Sequence, residues 1–154
     1  MQRSKLEQRD TPEQLKARAL RYLVRREHSR AELARKLSPH AASRGEVEAL
    51  LDSLVAKKQL CDERYAEERA RALSRKYGAA KIRHDLRAKG ISDGIVEALS
   101  SEGEMERARA ILERRYRAPA ATREERAKRA RFLQGRGFSG EVIVRLVLDR
   151  DEAA

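Results

Sequence analysis

The sequence contains very little cysteine and no long apolar run. Cys61 is the only cysteine among 154 residues, which excludes a disulfide within the chain. No apolar stretch approaches the roughly 20 residues that a membrane-spanning helix requires. The N-terminal segment MQRSKLEQRD also lacks the apolar core of a secretion signal. These absences predict a cytoplasmic protein that does not cross a membrane.

Residues that interrupt helices are scarce as well. The chain has three prolines and eight glycines, and no run of β-branched residues alternates with polar ones as a strand requires. Ala, Leu, Arg, Glu and Lys dominate, and these residues lose little on entering a helix. We therefore expect an all-α fold. Because hydrophobic and charged residues each make up 40 % of the chain, several thin helical layers fit better than one thick core.

A repeated pattern predicts how the helices are organised. The segment KIRHDLRAKGISDGIVEAL, from Lys81, aligns without a gap with KRARFLQGRGFSGEVIVRLVL, from Lys128. In each copy a glycine, Gly90 or Gly137, follows a helical stretch that ends in a cation, which is where a left-handed residue closes a helix. The serines two residues later are expected to cap the next helix. Each copy is thus predicted to form a helix, a tight turn and a second helix.

Helix starts and longer helices extend this pattern to the whole chain. Three pairs have the spacing of a capping box: Ser29 with Glu32, Ser43 with Glu46, and Thr122 with Glu125. A longer amphipathic helix is predicted before each helix pair, at about residues 12–26, 62–76 and 103–117.

The predicted architecture is three tandem three-helix repeats that resemble helix–turn–helix units. We place them at residues 11–60, 61–101 and 102–149, between flexible ends at 1–10 and 150–154. Because units of this size are too small to stand alone, neighbouring repeats should bury their remaining apolar faces against one another. The result would be an elongated, curved array.

The sequence shows no arrangement typical of catalysis. His28, His40 and His84 occur apart, with no other histidine or cysteine at metal-ligand spacing. No glycine-rich phosphate loop ends in Lys-Ser or Lys-Thr. We therefore predict no catalytic, cofactor-binding or metal-binding residue and no enzymatic activity. His28 directly precedes an expected helix cap, so we expect it in a loop or at the surface.

The charge balance points to an anionic partner. The formal net charge is +11, from 36 Lys and Arg residues against 25 Asp and Glu residues, and such a surplus attracts polyanions or acidic protein surfaces. The candidate contact residues form three basic groups: Arg35, Lys36, Lys57 and Lys58; Lys81, Arg83, Arg87 and Lys89; and Lys128, Arg129, Arg131 and Arg136.

Nucleic acid is one such partner, although the sequence offers little for reading bases. Aromatic residues make up 4 % of the chain, without tryptophan, so a stacking platform for single strands is poorly supplied. Tyr22, Tyr65 and Phe132 fall at apolar helical positions and are expected in the core. No asparagine is present and the basic positions differ between repeats, which argues against sequence-specific readout. Phosphate attraction without sequence preference stays open.

Four segments, in order, resemble the RecX family of RecA modulators. They are ALRYLVRREHSRAELARKL, DERYAEERARALSRKYGAAKIRHDLRAKGI, ISDGIVEAL and KRARFLQGRGFSGEVIVRLVL. The resemblance covers about residues 17–148 and implies tandem three-helix repeats in a curved chain. It also implies binding to the RecA nucleoprotein filament. Such binding would mostly inhibit the ATPase, strand-exchange and coprotease activities of RecA in recombination and the SOS response.

Two readings of the function therefore stand side by side. In the first, the chain is a monomer that modulates the RecA filament, with or without contact to single- or double-stranded DNA. In the alternative, it is a stand-alone DNA-binding protein without sequence preference. That alternative predicts tight binding to DNA at physiological salt in the absence of a recombinase.

Overall fold

The computed structural model describes residues 9–148, and all regular elements within that range are helical, which confirms the all-α prediction. The α-helices are α1 (Pro12–Arg25), α2 (Arg30–Leu37), α3 (Arg44–Ala56), α4 (Asp62–Leu73), α5 (Ala79–Ala88), α6 (Asp93–Ala98), α7 (Glu104–Arg115), α8 (Arg123–Gly135) and α9 (Gly140–Ile143). A 3₁₀ turn, Ser38–His40, follows α2, and a π-helical turn, Val144–Leu148, follows α9.

The predicted flexible ends lie outside the described residues, apart from Arg9 and Asp10. Both of these residues contact other parts of unit 1 through their side chains. The Arg9 guanidinium donates to the Ala42 carbonyl at 2.7 Å, and Asp10 pairs with Arg18 at 2.7 Å. This Arg18 guanidinium lowers the pKa of the Asp10 carboxyl.

Polar side chains cap the helix starts, as the sequence predicts, but the capping box is complete at only one of the three predicted places. Thr122 Oγ1 accepts from the Glu125 N–H at 3.1 Å, and the Glu125 carboxylate accepts from the Thr122 N–H at 3.3 Å. The backbone N–H groups of Ala121 and Thr122, which both donate to the Glu125 carboxylate, lower the pKa of that group. A second complete box, at Thr11 and Gln14, begins α1 and was not predicted.

At the other two predicted capping boxes, the serine caps the helix but the glutamate does not bind the backbone N–H of that serine. Ser29 accepts from the backbone N–H of Glu32 at 3.0 Å, so it caps α2. The Glu32 carboxylate does not return to the cap, because it binds both terminal nitrogens of Arg26, at 2.9 and 2.7 Å. Ser43 caps α3 in the same way, but Glu46 accepts from the Ala42 N–H instead.

The described residues form two compact units. Unit 1 contains residues 9–68 and 87–95, and unit 2 contains residues 69–86 and 96–148. These limits follow packing and do not test the predicted repeat boundaries. The buried core of unit 1 consists of Leu15, Ala19, Leu33, Leu37, Ala41, Val47, Leu51, Leu54 and Leu60. The buried core of unit 2 consists of Ala108, Ile111, Leu133, Phe138, Val142, Ile143 and Val147.

The three aromatic residues expected in the core are placed there to different degrees. Tyr65 is buried, as predicted. Tyr22 and Phe132 are half-buried at the edges of the cores of units 1 and 2. Each ring also contacts cations: Lys36 at Tyr22, and Arg115 and Arg136 at Phe132.

In unit 1, the predicted left-handed glycine Gly90 packs against the start of α2. Its φ is 84°, and the preceding Lys89 carbonyl accepts from the Ser29 hydroxyl at 3.1 Å. A Cβ atom at Gly90 would lie 2.6 Å from the Cβ of Ala31, well inside contact distance. Glycine is therefore required both by the backbone conformation and by the close approach.

Unit 2 contains an equivalent junction at Gly137. Here φ is 87°, and a Cβ atom would lie 2.5 Å from the Cβ of Lys81. The Ala80 N–H donates to the Gly137 carbonyl at 3.2 Å, and the Gly78 N–H donates to the Arg136 carbonyl at 2.7 Å. In both units the glycine turn therefore rests on the first turn of a helix that lies far earlier in the chain.

His28 lies in the loop between α1 and α2, as expected, but it is buried and not at the surface. Only 1 % of its surface is exposed. Nε2 lies 2.9 Å from Lys36 Nζ, and Nδ1 lies 3.1 Å from the Arg26 carbonyl oxygen. Because an ammonium only donates, Nε2 must accept and Nδ1 must carry the hydrogen of a neutral ring. Burial lowers the pKa of His28, in agreement with this assignment.

Candidate anion-binding site

The first predicted basic group lies on unit 1. Arg35, Lys57 and Lys58 are exposed, and Lys58 adopts a positive φ of 60° just after α3. Lys36 is half-buried, because its ammonium contacts His28 and lies 4.8 Å from the centroid of the Tyr22 ring. Lys36 thus has a packing role in addition to its charge.

The second predicted group does not form one face. Successive helical residues are about 100° apart, so Lys81 and Arg83 point to different sides of α5. Arg87 pairs with Asp93 at 2.9 Å, and Lys89 is half-buried beside the Ser29 cap. Among these four, only Lys81 contributes to the concave surface described below.

The third predicted group is divided in the same manner. Lys128 is exposed. The Arg129 guanidinium lies 4.4 Å from the centroid of the Tyr116 ring and donates to the Ala118 carbonyl at 2.8 Å. Arg131 and Arg136 line the same concave surface as Lys81.

This surface is a groove in unit 2 with a volume of about 1110 Å³. We call it the cationic groove. Seven of its lining residues are cations: Arg75, Lys76, Lys81, Arg114, Arg115, Arg131 and Arg136. The other lining residues are Tyr77, Ile111, Phe132 and Gly135. Within residues 9–148, no acidic residue lines it, so charges of one sign converge on a single concavity.

Four members of the groove were missed in the sequence: Arg75, Lys76, Arg114 and Arg115. They come from two separate places, namely the turn after α4 and the last turn of α7. The sequence groups were drawn from cations that are close along the chain, whereas the groove depends on which helices pack together. The doublets Arg75-Lys76 and Arg114-Arg115 at the ends of predicted helices were the available signal.

Uncharged groups hold several of these cations in place. The Arg136 guanidinium lies 5.1 Å from the centroid of the Phe132 ring and donates to the Lys76 carbonyl at 3.3 Å. Lys81 Nζ lies 4.6 Å from the centroid of the Tyr77 ring and donates to the Gly135 carbonyl at 3.4 Å. Such contacts fix a cation without neutralising its charge.

Two arginines in the last turn of α7 are also held by uncharged groups. Arg114 donates to the Arg75 carbonyl at 3.1 Å, and the Arg115 guanidinium lies 4.8 Å from the centroid of the Phe132 ring. Within residues 9–148, none of the seven groove cations has a carboxylate oxygen within 4.0 Å.

In unit 1, by contrast, several arginines form ion pairs with carboxylates. Its described ion pairs are Arg18–Asp10, Arg26–Glu32, Arg30–Glu48, Arg30–Asp52, Arg64–Glu27 and Arg87–Asp93. Arg30 is held by two carboxylates at once, at 2.8 and 2.7 Å. Unit 2 has described pairs only at Arg69–Asp85 and Arg145–Glu141. Seven cations without a described carboxylate partner thus meet in the cationic groove of unit 2.

Within residues 9–148, no three His, Cys, Asp or Glu side chains are placed so that they hold a metal ion. None of the helices in that range is both long enough and apolar enough to cross a membrane.

Comparison with protein families matches the chain three times, in order. The RecX first three-helix domain matches residues 16–54, the second matches residues 62–99, and the third matches residues 102–147. The regulatory protein RecX of Ralstonia nicotianae is 48 % identical over 143 residues, which is 91 % of this chain and 90 % of the relative. The chain belongs to the RecX family. The resemblance noted in the sequence is thereby confirmed.

Further RecX relatives agree with this membership. The regulatory protein RecX of Leptothrix cholodnii is 46 % identical over 132 residues, covering 84 % of each chain. The crystal structure of RecX from Lactobacillus salivarius superposes with a TM-score of 0.77 at 23 % identity, over 89 % of this chain and 94 % of that one. A second crystal structure, of a regulatory protein RecX, gives a TM-score of 0.73 at 26 % identity. The fold is thus that of RecX proteins, built of three-helix domains.

Proposed function

We propose that this RecX chain binds the RecA nucleoprotein filament and lowers its activity, without an enzymatic activity of its own. The observation that carries the proposal is the family match, which finds all three RecX domains in order. Near full-length similarity to relatives named regulatory protein RecX supports a regulatory role for the whole chain.

The proposed mode of action is docking along the helical groove of an active filament, across adjacent RecA protomers, by a monomer in the cytoplasm. Docking there would block filament extension or hold the filament in a poorly active state. The ATPase, strand-exchange and coprotease activities would decline together, with consequences for recombination and the SOS response. The filament contains DNA and therefore offers phosphates as well as protein surface to a basic partner.

The ion pairs suggest which predicted contact residues contribute most. A cation that already has a carboxylate partner must give up that interaction before it binds another anion, whereas an uncompensated cation need not. Lys81, Arg131 and Arg136 have no described carboxylate partner, while Arg87 is paired with Asp93. We therefore assign the first three a larger share of the contact energy than Arg87.

The alternative, a stand-alone DNA-binding protein, is favoured by one observation. Seven cations converge on one groove with no acidic lining residue, which suits a polyanion on its own. The two functions differ in whether RecA is required. A filament regulator binds RecA–DNA filaments more tightly than bare DNA at physiological salt, and a stand-alone binder does not.

Binding to preformed filaments tests this difference. RecA from the same organism is assembled on single-stranded DNA with a slowly hydrolysed ATP analogue, and the chain carries a fluorescent label at its N-terminus. Anisotropy is measured with filaments, with bare DNA and with RecA alone, at one salt concentration. We expect the tightest binding with filaments. Equal affinity for filaments and bare DNA would contradict filament recognition and support the alternative.

A further inference from the structure

The cationic groove concentrates more positive charge than its structural surroundings explain. Cations in the last turn of a helix are stabilised by the helix dipole, which accounts for Arg114 and Arg115 at the end of α7. It does not account for Arg75 in the turn after α4, for Lys81 at the start of α5, or for Arg131 inside α8. Like charges held together in one concavity repel one another, so an anionic ligand would relieve that repulsion.

The composition of the groove favours phosphate as the anion. Five of its seven cations are arginines, and a planar guanidinium matches the oxygens of a phosphate with two parallel hydrogen bonds. Three of the guanidinium groups, those of Arg114, Arg115 and Arg136, are also held in position beforehand by aromatic rings and carbonyl oxygens. Such pre-positioning reduces the entropy lost when a ligand binds.

The size and shape of the groove favour an extended ligand with several charges. Pockets for small molecules usually enclose about 300–1000 Å³, and this groove is open and has a volume of about 1110 Å³. One small phosphate would contact only some of the seven cations. A chain that carries a phosphate on every unit would contact cations on several sides of the groove.

We infer that the cationic groove of unit 2 binds the phosphodiester backbone of a single-stranded polynucleotide. A flexible strand can enter the concavity and bring successive phosphates to Arg75, Arg114 and Arg131, which come from the turn after α4, from α7 and from α8. A duplex is stiff over far longer distances, so it cannot bend into the concavity to bring successive phosphates to cations from several elements. Tyr77 and Phe132 each contact a cation, so the phosphates and not the bases should supply most of the binding, which should not depend on base sequence.

This inference deepens the proposed function and rests on it for the setting in which the chain meets a strand. The binding itself is a property of unit 2 and needs no recombinase. A test on DNA alone therefore separates the two claims. If the chain fails to bind filaments, the groove can still bind a single strand. If the groove fails to bind a single strand, the chain can still bind filaments.

The test is fluorescence anisotropy of a labelled oligothymidylate titrated with the full chain at several salt concentrations. The groove variant combines Arg75→Gln, Arg114→Gln and Arg131→Gln, three exposed positions in unit 2. Each neutralised phosphate contributes about 0.7 to the slope of log affinity against log salt for a single strand. We expect the variant to lose about 2 from that slope and to bind about tenfold or more weakly at low salt.

A matched control changes the net charge by the same amount elsewhere. It combines Arg21→Gln, Arg25→Gln and Arg44→Gln, three exposed unit 1 positions without a described ion pair. We expect the control to keep most of the affinity. A charge-retaining triple, Arg75→Lys with Arg114→Lys and Arg131→Lys, should stay close to the original slope.

Three results would overturn the inference. The first is equal weakening by the groove variant and the control, since this would show only an effect of overall charge. The second is an unchanged salt slope in the groove variant. The third is tighter binding of a duplex of equal phosphate count than of the oligothymidylate, which would assign the groove to duplex DNA.

Discussion

Gly78 and Gly137 meet backbone to backbone in unit 2, so closely that a Cβ atom on Gly78 would overlap the carbonyl group of Gly137. The Gly78 N–H donates to the neighbouring Arg136 carbonyl at 2.7 Å. This junction fixes the turn before α5 against the turn after α8. Because Lys81 and Arg136 flank these turns, the contact also sets the position of two cations in the groove.

Replacing Gly137 should therefore destabilise the chain strongly. In Gly137→Ala, the alanine would be strained by the left-handed backbone at φ 87°, and its Cβ atom would overlap Lys81. We expect the free energy of unfolding to fall by about 2–4 kcal/mol. Urea unfolding followed by circular dichroism measures the change.

Gly135→Ala is the matched control for that variant. Gly135 is the last residue of α8, and a Cβ atom there meets no atom within 4 Å. Alanine should leave stability unchanged or raise it by up to about 1 kcal/mol. A similar loss in both variants would contradict the role given to the Gly78–Gly137 junction.

The buried histidine predicts a pH dependence of stability. Burial lowers the pKa of His28 in the folded chain below its ordinary value of 6.5, so the unfolded chain binds more protons between the two values. The contribution of the neutral ring is complete above pH 6.5 and is lost as the pH falls from there through the folded-state pKa. Urea midpoints measured from pH 7.5 down to about 5.5 should therefore decrease.

The His28→Gln variant isolates this effect. It should be less stable than the original chain at pH 7.5, because the ring fills a buried position, but its urea midpoint should vary less with pH. His84→Gln, at an exposed position, should keep the original pH dependence. The same pH dependence in His28→Gln as in the original chain would show that another group is responsible.

The capping box at the start of α8 should contribute measurably to unit 2. Thr122→Ala removes the acceptor for the Glu125 N–H, and loss of a helix N-cap typically costs about 1 kcal/mol. Thr122→Ser keeps the hydroxyl and should recover most of that stability. Thermal unfolding by circular dichroism compares the three proteins, and equal melting temperatures for Ala and Ser variants would refute the role of the cap.

Features that depend on a few consecutive residues were predictable from the sequence. The left-handed glycines Gly90 and Gly137 follow from a helical pattern that ends in a cation, and Ser29, Ser43 and Thr122 cap helices as their spacing indicates. All of these use contacts within a turn or two. The order of the four RecX-like segments likewise needs no knowledge of packing.

Features set by distant contacts were not predictable. His28 is buried at a place where the chain meets a distant segment, since the hydroxyl of the neighbouring Ser29 donates to the Lys89 carbonyl, 60 residues along the chain. Glu32 leaves its expected box because Arg26 offers it a bidentate, charge-assisted bond, which is stronger than a bond to a neutral N–H. The cationic groove was not predictable either, because its cations come from elements that are far apart along the chain. Linear grouping found only Lys81, Arg131 and Arg136 among its members.

The most direct test of filament regulation is DNA-dependent ATP hydrolysis by RecA of the same organism on single-stranded DNA, while this chain is titrated in. Filament regulation predicts half-inhibition at amounts far below one chain per RecA, because one docked chain affects many protomers. Simple competition for DNA requires nearly saturating protein. No inhibition at stoichiometric amounts, even at low salt, would contradict the proposed function.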